Sequence, residues 1–584
     1  MKFREYTTQL LIVGGAISGL SVALTAKEAD PGLDVLIADK CDASYGFSGK
    51  SSRTAGLLSF VTREDDPEDF VKFCTETNGY YLNDQDLLRA FANSTDEVIG
   101  SLKRWGVDIP SGPDGYPEYL KWPYPWGTAS VDPDMCVSMA ARAKELGVRY
   151  LERVTICRLL TENGVVTGAA GFSLREEELV VIRANTVVLA CGSQNYDITK
   201  TWCATGNAIL MAYEAGAEMR NCEFGNMCDF AAPDPRGWVY YAAAHTAHDH
   251  LYVGDVNISQ KYRPGMHSSM DPLAAYAWYR ETVAGNTVEA SIEEFEQTEG
   301  KNYFKKHEKA VFRHEYTSRL EEGIGKGRFP VIPGFIGELS CIRVDHTMAS
   351  TLPNLYAVGD TSGGGTARAG AVATPPGKIH GTGIYNAAFT GITAGKYAGR
   401  AAALHPAPAL RGCGPEDEAL GEEFFRPLHM TRGLYVRDMI GKVQDIISPT
   451  DYSLVKNGDR MNRALGRTVE LRELLGEVYV NDLHELAKYV DLRSMVLGSE
   501  LFYRASLTRT ESRGFHLRDD CPETDNEHWL KWVLIRKQGD GMTISTEGIP
   551  MEHYRYHPAE KQVRVVPIDV RPCTPARDHP KGED

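Results

Sequence analysis

Apolar positions in the first forty residues fall into two short runs that flank a helical stretch. In "QLLIVGGAISGLSVALTAKEADPGLDVLIADK" (9–40) one apolar run closes on glycines, an Ala/Leu-rich segment follows, and a second run ends at Asp39 and Lys40. This pattern predicts strand, glycine turn, helix and strand, a βαβ unit. Similar apolar runs recur in "RANTVVLACGS" (183–193) and "LPNLYAVGDTSGGG" (352–365), each predicted to be a strand that ends in a glycine turn. Residues 145–184 alternate apolar and polar positions about an Asn163-Gly164 turn, as in a β-meander. From 225 to 344 the chain becomes aromatic and His-containing and loses the strand–glycine pattern, which marks an insertion. "ALHPAPALRGCGP" (403–415) reads as a linker, and beyond it Leu483, Leu486, Ala487 and Val490 recur at helical spacing. A proline- and charge-rich tail, expected to be flexible, follows from about 568.

Composition narrows this picture. A chain of 584 residues holds several cores, and 42% hydrophobic with 24% charged residues is ordinary for a globular protein. The net charge of −16 argues against a general nucleic-acid binder. No run approaches the roughly 18 apolar residues of a membrane span, and the expected location is cytoplasmic. Twelve cysteines include no C-x-x-C pair, so no cluster or zinc motif is visible and no metal is expected.

The first glycine turn is the clearest chemical signal. A helix N-terminus behind glycines offers free N–H groups and a favourable dipole to a pyrophosphate. Gly14 and Gly19 fit a dinucleotide fingerprint, whereas Ala16 holds its middle position. Asp39 lies about 20 residues on, where a carboxylate accepts from ribose hydroxyls. An ordinary βα turn would have the same outline, but two further strand–glycine ends strengthen the case for a nucleotide site.

The segments "IVGGAISGL", "VVLACGS", "TGNAILMAYEAGAEMRNCEF", "GKGRFPV", "LYAVGD" and "ESRGFHLRDDCPETDNEHW" together resemble the FAD-dependent succinate dehydrogenase and fumarate reductase flavoprotein family, adenylylsulfate reductase flavoprotein subunits included. The resemblance spans roughly residues 8 to 535. Asn207 and Ala208 stand where the family has Asp-Gly. The implied fold is α/β: a discontinuous Rossmann-like FAD-binding domain (1–230 and 345–405), an inserted α+β capping domain (231–344), a C-terminal helical domain (406–567) and the tail (568–584).

The resemblance also implies FAD contacts. These fall at Gly14, Gly15, Ala16, Ser18, Gly19, Asp39 and Lys40, and at Ser52, Arg53, Thr54 and Gly56 in "GKSSRTAGLLSF". Further contacts are implied at Val154, at Ala190, Cys191 and Gly192, and at Asn207, Gly359 and Asp360. The last group is Gly381, Thr382, Gly383 and Ile384, where a helix N-terminus would face the flavin. No histidine occurs from Met1 through Gly100, although covalent members attach FAD through one in R-S-H-T, so noncovalent FAD is expected.

The substrate side departs from the family pattern. Aligning R-L-G-G-N-S-L on "KIHGTGI" places Lys378 on the family's arginine, whereas "ARAG" nominates Arg368. A lysine lacks the planar fork that grips a carboxylate, so the two are not equivalent. "VIPGFIGELSCIRVD" has no histidine between Val331 and Asp345, and the motifs H-P-T-G and R-G-E-G-G are missing, which disfavours succinate and fumarate. His245, with His248 and His250, lies in the insertion, and His380 in the glycine-rich loop; these are candidates to orient a substrate or donate a proton, or are solvated residues. The leading expectation is hydride transfer between flavin N5 and an electron-poor C=C bond. A second is a flavoprotein subunit that depends on an iron–sulfur or other electron-transfer protein. A flavin monooxygenase or disulfide reductase is a third, disfavoured by the missing cysteine pair.

Overall fold

The structure is a computed structural model that describes residues 2–46, 57–122, 124–132, 134–198, 204–231, 250–264, 272–291, 294, 327–362 and 382–574. Its centre is a seven-stranded sheet. Strand β1 (Lys2–Val13) leads through a glycine turn into helix α1 (Ile17–Ala29) and then β2 (Val35–Asp39). Next come β3 (Arg149–Glu152), β4 (Val154–Glu162), β5 (Val165–Ser173) and β6 (Glu178–Leu189). The short strand β7 (Leu355–Ala357) arrives much later in the chain.

The order is β3-β2-β1-β6-β5-β4, with β7 also paired to β6. Pairs β3–β2, β2–β1, β1–β6 and β6–β7 are parallel, while β6–β5 and β5–β4 are antiparallel. The β4–β5 turn uses Asn163 at φ 53 and Gly164 at φ 79, the paired left-handed conformation that an Asn-Gly hairpin turn requires. Leu10–Val13 of β1 and all of β2 are buried, as expected for parallel strands covered on both faces.

Helix α1 lies beneath α2 (Thr382–Ala403), and a row of glycines sets their spacing. A Cβ on Gly391 would stand 2.5 Å from Ser18 O and 2.6 Å from Ser21 Cβ. One on Gly395 would stand 2.6 Å from Thr25 Cβ, and one on Gly399 3.1 Å from Ala26 Cβ. The i, i+4, i+8 spacing puts all three on one face, so the two backbones approach closely.

The inserted region carries a five-stranded sheet built from Met227–Ala231, Arg328–Gly337, Val288–Ser291, Leu251–Val253 and Val256–Asn257, with helices Ile258–Tyr262 and Pro272–Val283. The C-terminal region is mostly helical, and its longest helix is α3 (Leu483–Thr508), where Leu486 and Val490 are buried. The hairpin Lys531–Gln538 and Gly541–Gly548 pairs with Met219–Arg220, so this region extends the earlier fold.

The "ESRGFH" segment is locked by buried charge. Arg509 donates through Nε to Glu223 Oε1 at 2.7 Å and through Nη1 to Glu511 Oε1 at 2.7 Å. Arg513 donates to both Glu511 oxygens at 2.8 Å. All four side chains are fully buried, and burial pushes the Glu223 carboxyl above its ordinary range despite Arg509 beside it.

Candidate functional site

Three strand ends meet at one edge of the sheet. The turn after β1, the loop Ala190–Gly192 after β6 and the turn Gly359–Thr361 after β7 are in direct contact. Ala190 N–H donates to Val13 O at 2.8 Å, and Gly192 N–H donates to Thr361 Oγ1 at 2.8 Å. Gly14 has φ +100, and a Cβ there would lie 2.5 Å from Ala190 O. Gly359 has φ +61, and its Cβ would lie 2.9 Å from Ser18 Oγ. Glycine therefore answers both a backbone conformation and a close approach at these two positions. Gly359 N–H is held by Thr390 Oγ1 of α2 at 2.8 Å, which links the third turn to the next helix.

The N-terminus of α1 is prepared for an anion. Ala16 at its N-cap makes no side-chain hydrogen bond, and no acidic residue lies in its first turn. The end N–H groups thus lack a side-chain cap and a first-turn carboxylate, and the Asp39 charge beside the turn is already engaged by Gly15 N–H. The Asp39 carboxylate is almost wholly buried and accepts from Gly15 N–H and Cys41 N–H, each at 2.8 Å. It fixes the glycine turn at the position where the sequence suggests a ribose contact. Next to it, burial pushes the Cys191 thiol up to about 12, with the Asp39 charge adding to the shift, so this thiol stays protonated.

The other residues expected to contact FAD are placed as follows. Lys40 follows Asp39, and Val154 opens β4 directly after Arg153, which turns at φ +59. Asn207 opens the helix Asn207–Glu214 behind Gly206 at φ +63. Its Nδ2 donates to Asp491 Oδ1 at 3.2 Å, while its buried Oδ1 has no partner among the described residues. Asp360 lies in the turn after β7, and Thr382, Gly383 and Ile384 form the start of α2. No described atom lies within 4 Å of a Cβ on Gly383. Ser52, Arg53, Thr54, Gly56, His245, Arg368, Lys378, His380 and Gly381 lie outside the described residues.

Sequence reading overlooked Gln194. It is fully buried, exchanges backbone hydrogen bonds with Leu339 at 2.9 and 3.1 Å, and donates from Nε2 to Thr205 O at 2.6 Å and Ser494 Oγ at 2.9 Å. This one residue thus joins the loop after β6 to Leu339 through its backbone, and to Thr205 and α3 through its side chain. The only sequence clue was its place two residues past Gly192.

These features fit a flavin dinucleotide: a glycine turn with an uncapped helix behind it, two further strand ends beside it, and a second helix start with room at Gly383. Among the described residues, no group of three or more His, Cys, Asp or Glu is arranged to hold a metal ion, and no helix is long and apolar enough to cross a membrane.

Comparison with known proteins agrees. The FAD binding domain family matches residues 9–249, and the fumarate reductase flavoprotein C-terminal family matches residues 442–563. The fumarate reductase flavoprotein subunit of Mycobacterium tuberculosis (strain H37Rv) is 25% identical, covering 94% of this chain and 98% of the relative. The corresponding subunit of the CoM/CoB fumarate reductase from Methanothermobacter marburgensis is 24% identical over 92% and 98%. The E. coli quinol fumarate reductase chain FrdA shares the fold with a TM-score of 0.78, at 20% identity over 96% of this chain and 99% of that one. Adenylylsulfate reductase from Archaeoglobus fulgidus shares it at 0.76, with 21% identity over 95% and 98%. Fold and site define an FAD-dependent oxidoreductase of the α/β flavoprotein class. Within that class, the chain carries an FAD binding domain and a fumarate reductase flavoprotein C-terminal domain, and its relatives include fumarate reductase flavoproteins.

Proposed function

We propose that this protein reduces an activated C=C bond, in an enoate or enone other than fumarate, or carries out the reverse dehydrogenation. The observation that carries this reading is the meeting of three strand ends on an uncapped helix, a seat for FAD. Bound FAD supplies a two-electron carrier whose reduced form delivers hydride from N5. The substrate gains that hydride at one carbon and a proton at the other.

The chain's own residues supply the rest. Residues 231–344 act as a cap that excludes water and aligns the substrate. Arg368 or Lys378 holds the substrate and polarises its electron-withdrawing group. Lys378 is the easier proton donor, because burial lowers a lysine's pKa while an arginine stays charged; His245 and His380 are the other candidates. Val331 to Asp345 contain no histidine, which supports a substrate other than fumarate. Asp39, Lys40, Val154 and Asn207 would be among the residues that hold FAD, without a covalent bond, with Asp39 toward the adenosine ribose.

Anaerobic reoxidation of the photoreduced protein by enoates, enones and sulfur oxyanions tests the acceptor class; an exclusive response to fumarate or to a sulfur oxyanion refutes it. Acid precipitation tests the attachment, and flavin retained in the pellet refutes noncovalent binding. A second reading is a flavoprotein subunit dependent on an iron–sulfur partner, favoured by relatives that are named as subunits. Turnover with a small-molecule reductant alone supports the first reading, and its complete absence supports the second.

A further inference from the structure

The last described residues bridge two parts of the molecule. Gln562–Arg564 pairs with Glu523–Asp525 in the C-terminal region, and Val565 and Val566 N–H donate to Pro522 O at 3.2 and 3.1 Å. Val566 is fully buried, so this end is firmly seated. The chain then crosses to the inserted region and runs beside the helix Pro272–Val283. Arg280 donates to the carbonyls of Ile568 and Val570 at 3.4 and 3.5 Å. Cys573 N–H reaches both Glu281 carboxylate oxygens, at 3.0 and 2.9 Å, and Asn286 Nδ2 donates to Cys573 O at 2.9 Å. Lys261 Nζ lies 3.2 Å from Cys573 Sγ.

Glu281 is the centre of this contact. Its side chain is fully buried, and besides Cys573 N–H it takes Asn286 Nδ2 at 2.6 Å, Tyr262 Oη at 3.1 Å and Lys261 Nζ at 3.3 Å. A buried carboxylate needs such donors, and one of them comes from the crossing segment. The segment's other bonds are long or lie at partly exposed atoms. The hold on the inserted region therefore rests on Cys573, and Glu281 keeps three other donors, Asn286, Tyr262 and Lys261, when that contact is released.

We propose that residues 568–573 are a strap that holds the capping region against the C-terminal region, and that its detachment sets how readily the flavin pocket opens. This rests on the reading of residues 231–344 as a cap. Opening would break the Cys573–Glu281 and Arg280 bonds while leaving Val565 and Val566 seated on Pro522.

The test uses full-length, FAD-loaded protein. Cys573→Pro removes the N–H that Glu281 receives, and Arg280→Ala removes the two carbonyl contacts; if the first variant does not fold, the second reads the same effect. Amide exchange over residues 272–283 and reoxidation of photoreduced flavin by p-benzoquinone are measured side by side. Both are expected to quicken by about fivefold or more, with FAD content unchanged. Unchanged exchange overturns the strap and leaves the cap reading intact. Faster exchange with unchanged reoxidation shows that the released region does not cover the flavin, and the cap reading fails together with the gating.

Discussion

Gly391→Ala in α2 should destabilise the protein and loosen its hold on FAD. The new Cβ would lie 2.5 Å from Ser18 O and 2.6 Å from Ser21 Cβ. Non-bonded carbons prefer about 3.5–4.0 Å, so α1 and α2 must separate by roughly 1 Å or distort locally. Overpacking of this kind costs about 1–3 kcal/mol, and the better helix propensity of alanine offsets about 1 kcal/mol of it. A net loss of up to about 2 kcal/mol is expected, seen as a fall of up to a few degrees in the melting temperature. Ser18 lies in the first turn of α1, so the same displacement moves the anion-binding N–H groups. FAD titration of apoprotein should show a dissociation constant raised about fivefold to tenfold. Gly466 is an internal control on an exposed helix face: no described atom lies within 4 Å of its Cβ, and alanine there should stabilise by about 1 kcal/mol. If Gly391→Ala matches Gly466→Ala in melting temperature and FAD affinity, the close-packing argument is wrong.

Asn207→Asp would place a second carboxylate within hydrogen-bonding range of Asp491. One of the pair must then stay protonated, and its raised pKa makes stability fall as pH rises through the folded value, so melting at pH 8 should drop relative to pH 5 more than in the parent. His346 Nε2 lies 2.8 Å from Asp84, which raises the His346 pKa above 6.5. The stabilisation is complete below 6.5 and is lost as pH rises through the folded value, so the parent should melt above His346→Gln at pH 6 and converge with it at high pH; a gap that widens with pH refutes the assignment. Arg509→Met leaves Glu223 buried without its partner and should cost about 3–5 kcal/mol in denaturant unfolding, with partial recovery when Glu223→Gln is added.

The sheet and the location of the cofactor seat were legible because their signals are local. Apolar runs ending in glycine predict strands, and all three predicted ends meet. Side-chain partners from distant segments were not legible. Asn207 shows a missing carboxylate in sequence, but its link to Asp491 depends on α3 crossing the site nearly 300 residues later. Gln194 matters through Leu339, Thr205 and Ser494, none of which spacing reveals. The glycine row of α2 is visible as small residues at i, i+4, i+8, yet only packing against α1 shows that no Cβ fits. The segment from 568, read as a flexible tail, is seated as far as Cys573 through a buried glutamate that its own composition cannot disclose.

The late arrival of β7 also gives the molecule a schedule. Val187 to Leu189 of β6 pair with β1 on one side and wait on the other for Leu355–Ala357. During synthesis the glycine turn is made first, but Thr390, which anchors Gly359, follows nearly 400 residues behind it. At ribosomal speeds of about 5–20 residues per second, that interval is roughly 20 to 80 s. Until then the nascent chain presents an open, apolar strand edge and an unfinished nucleotide seat. Cofactor capture therefore belongs to the last third of translation or later, and the period before it is when this protein is most exposed to mispairing.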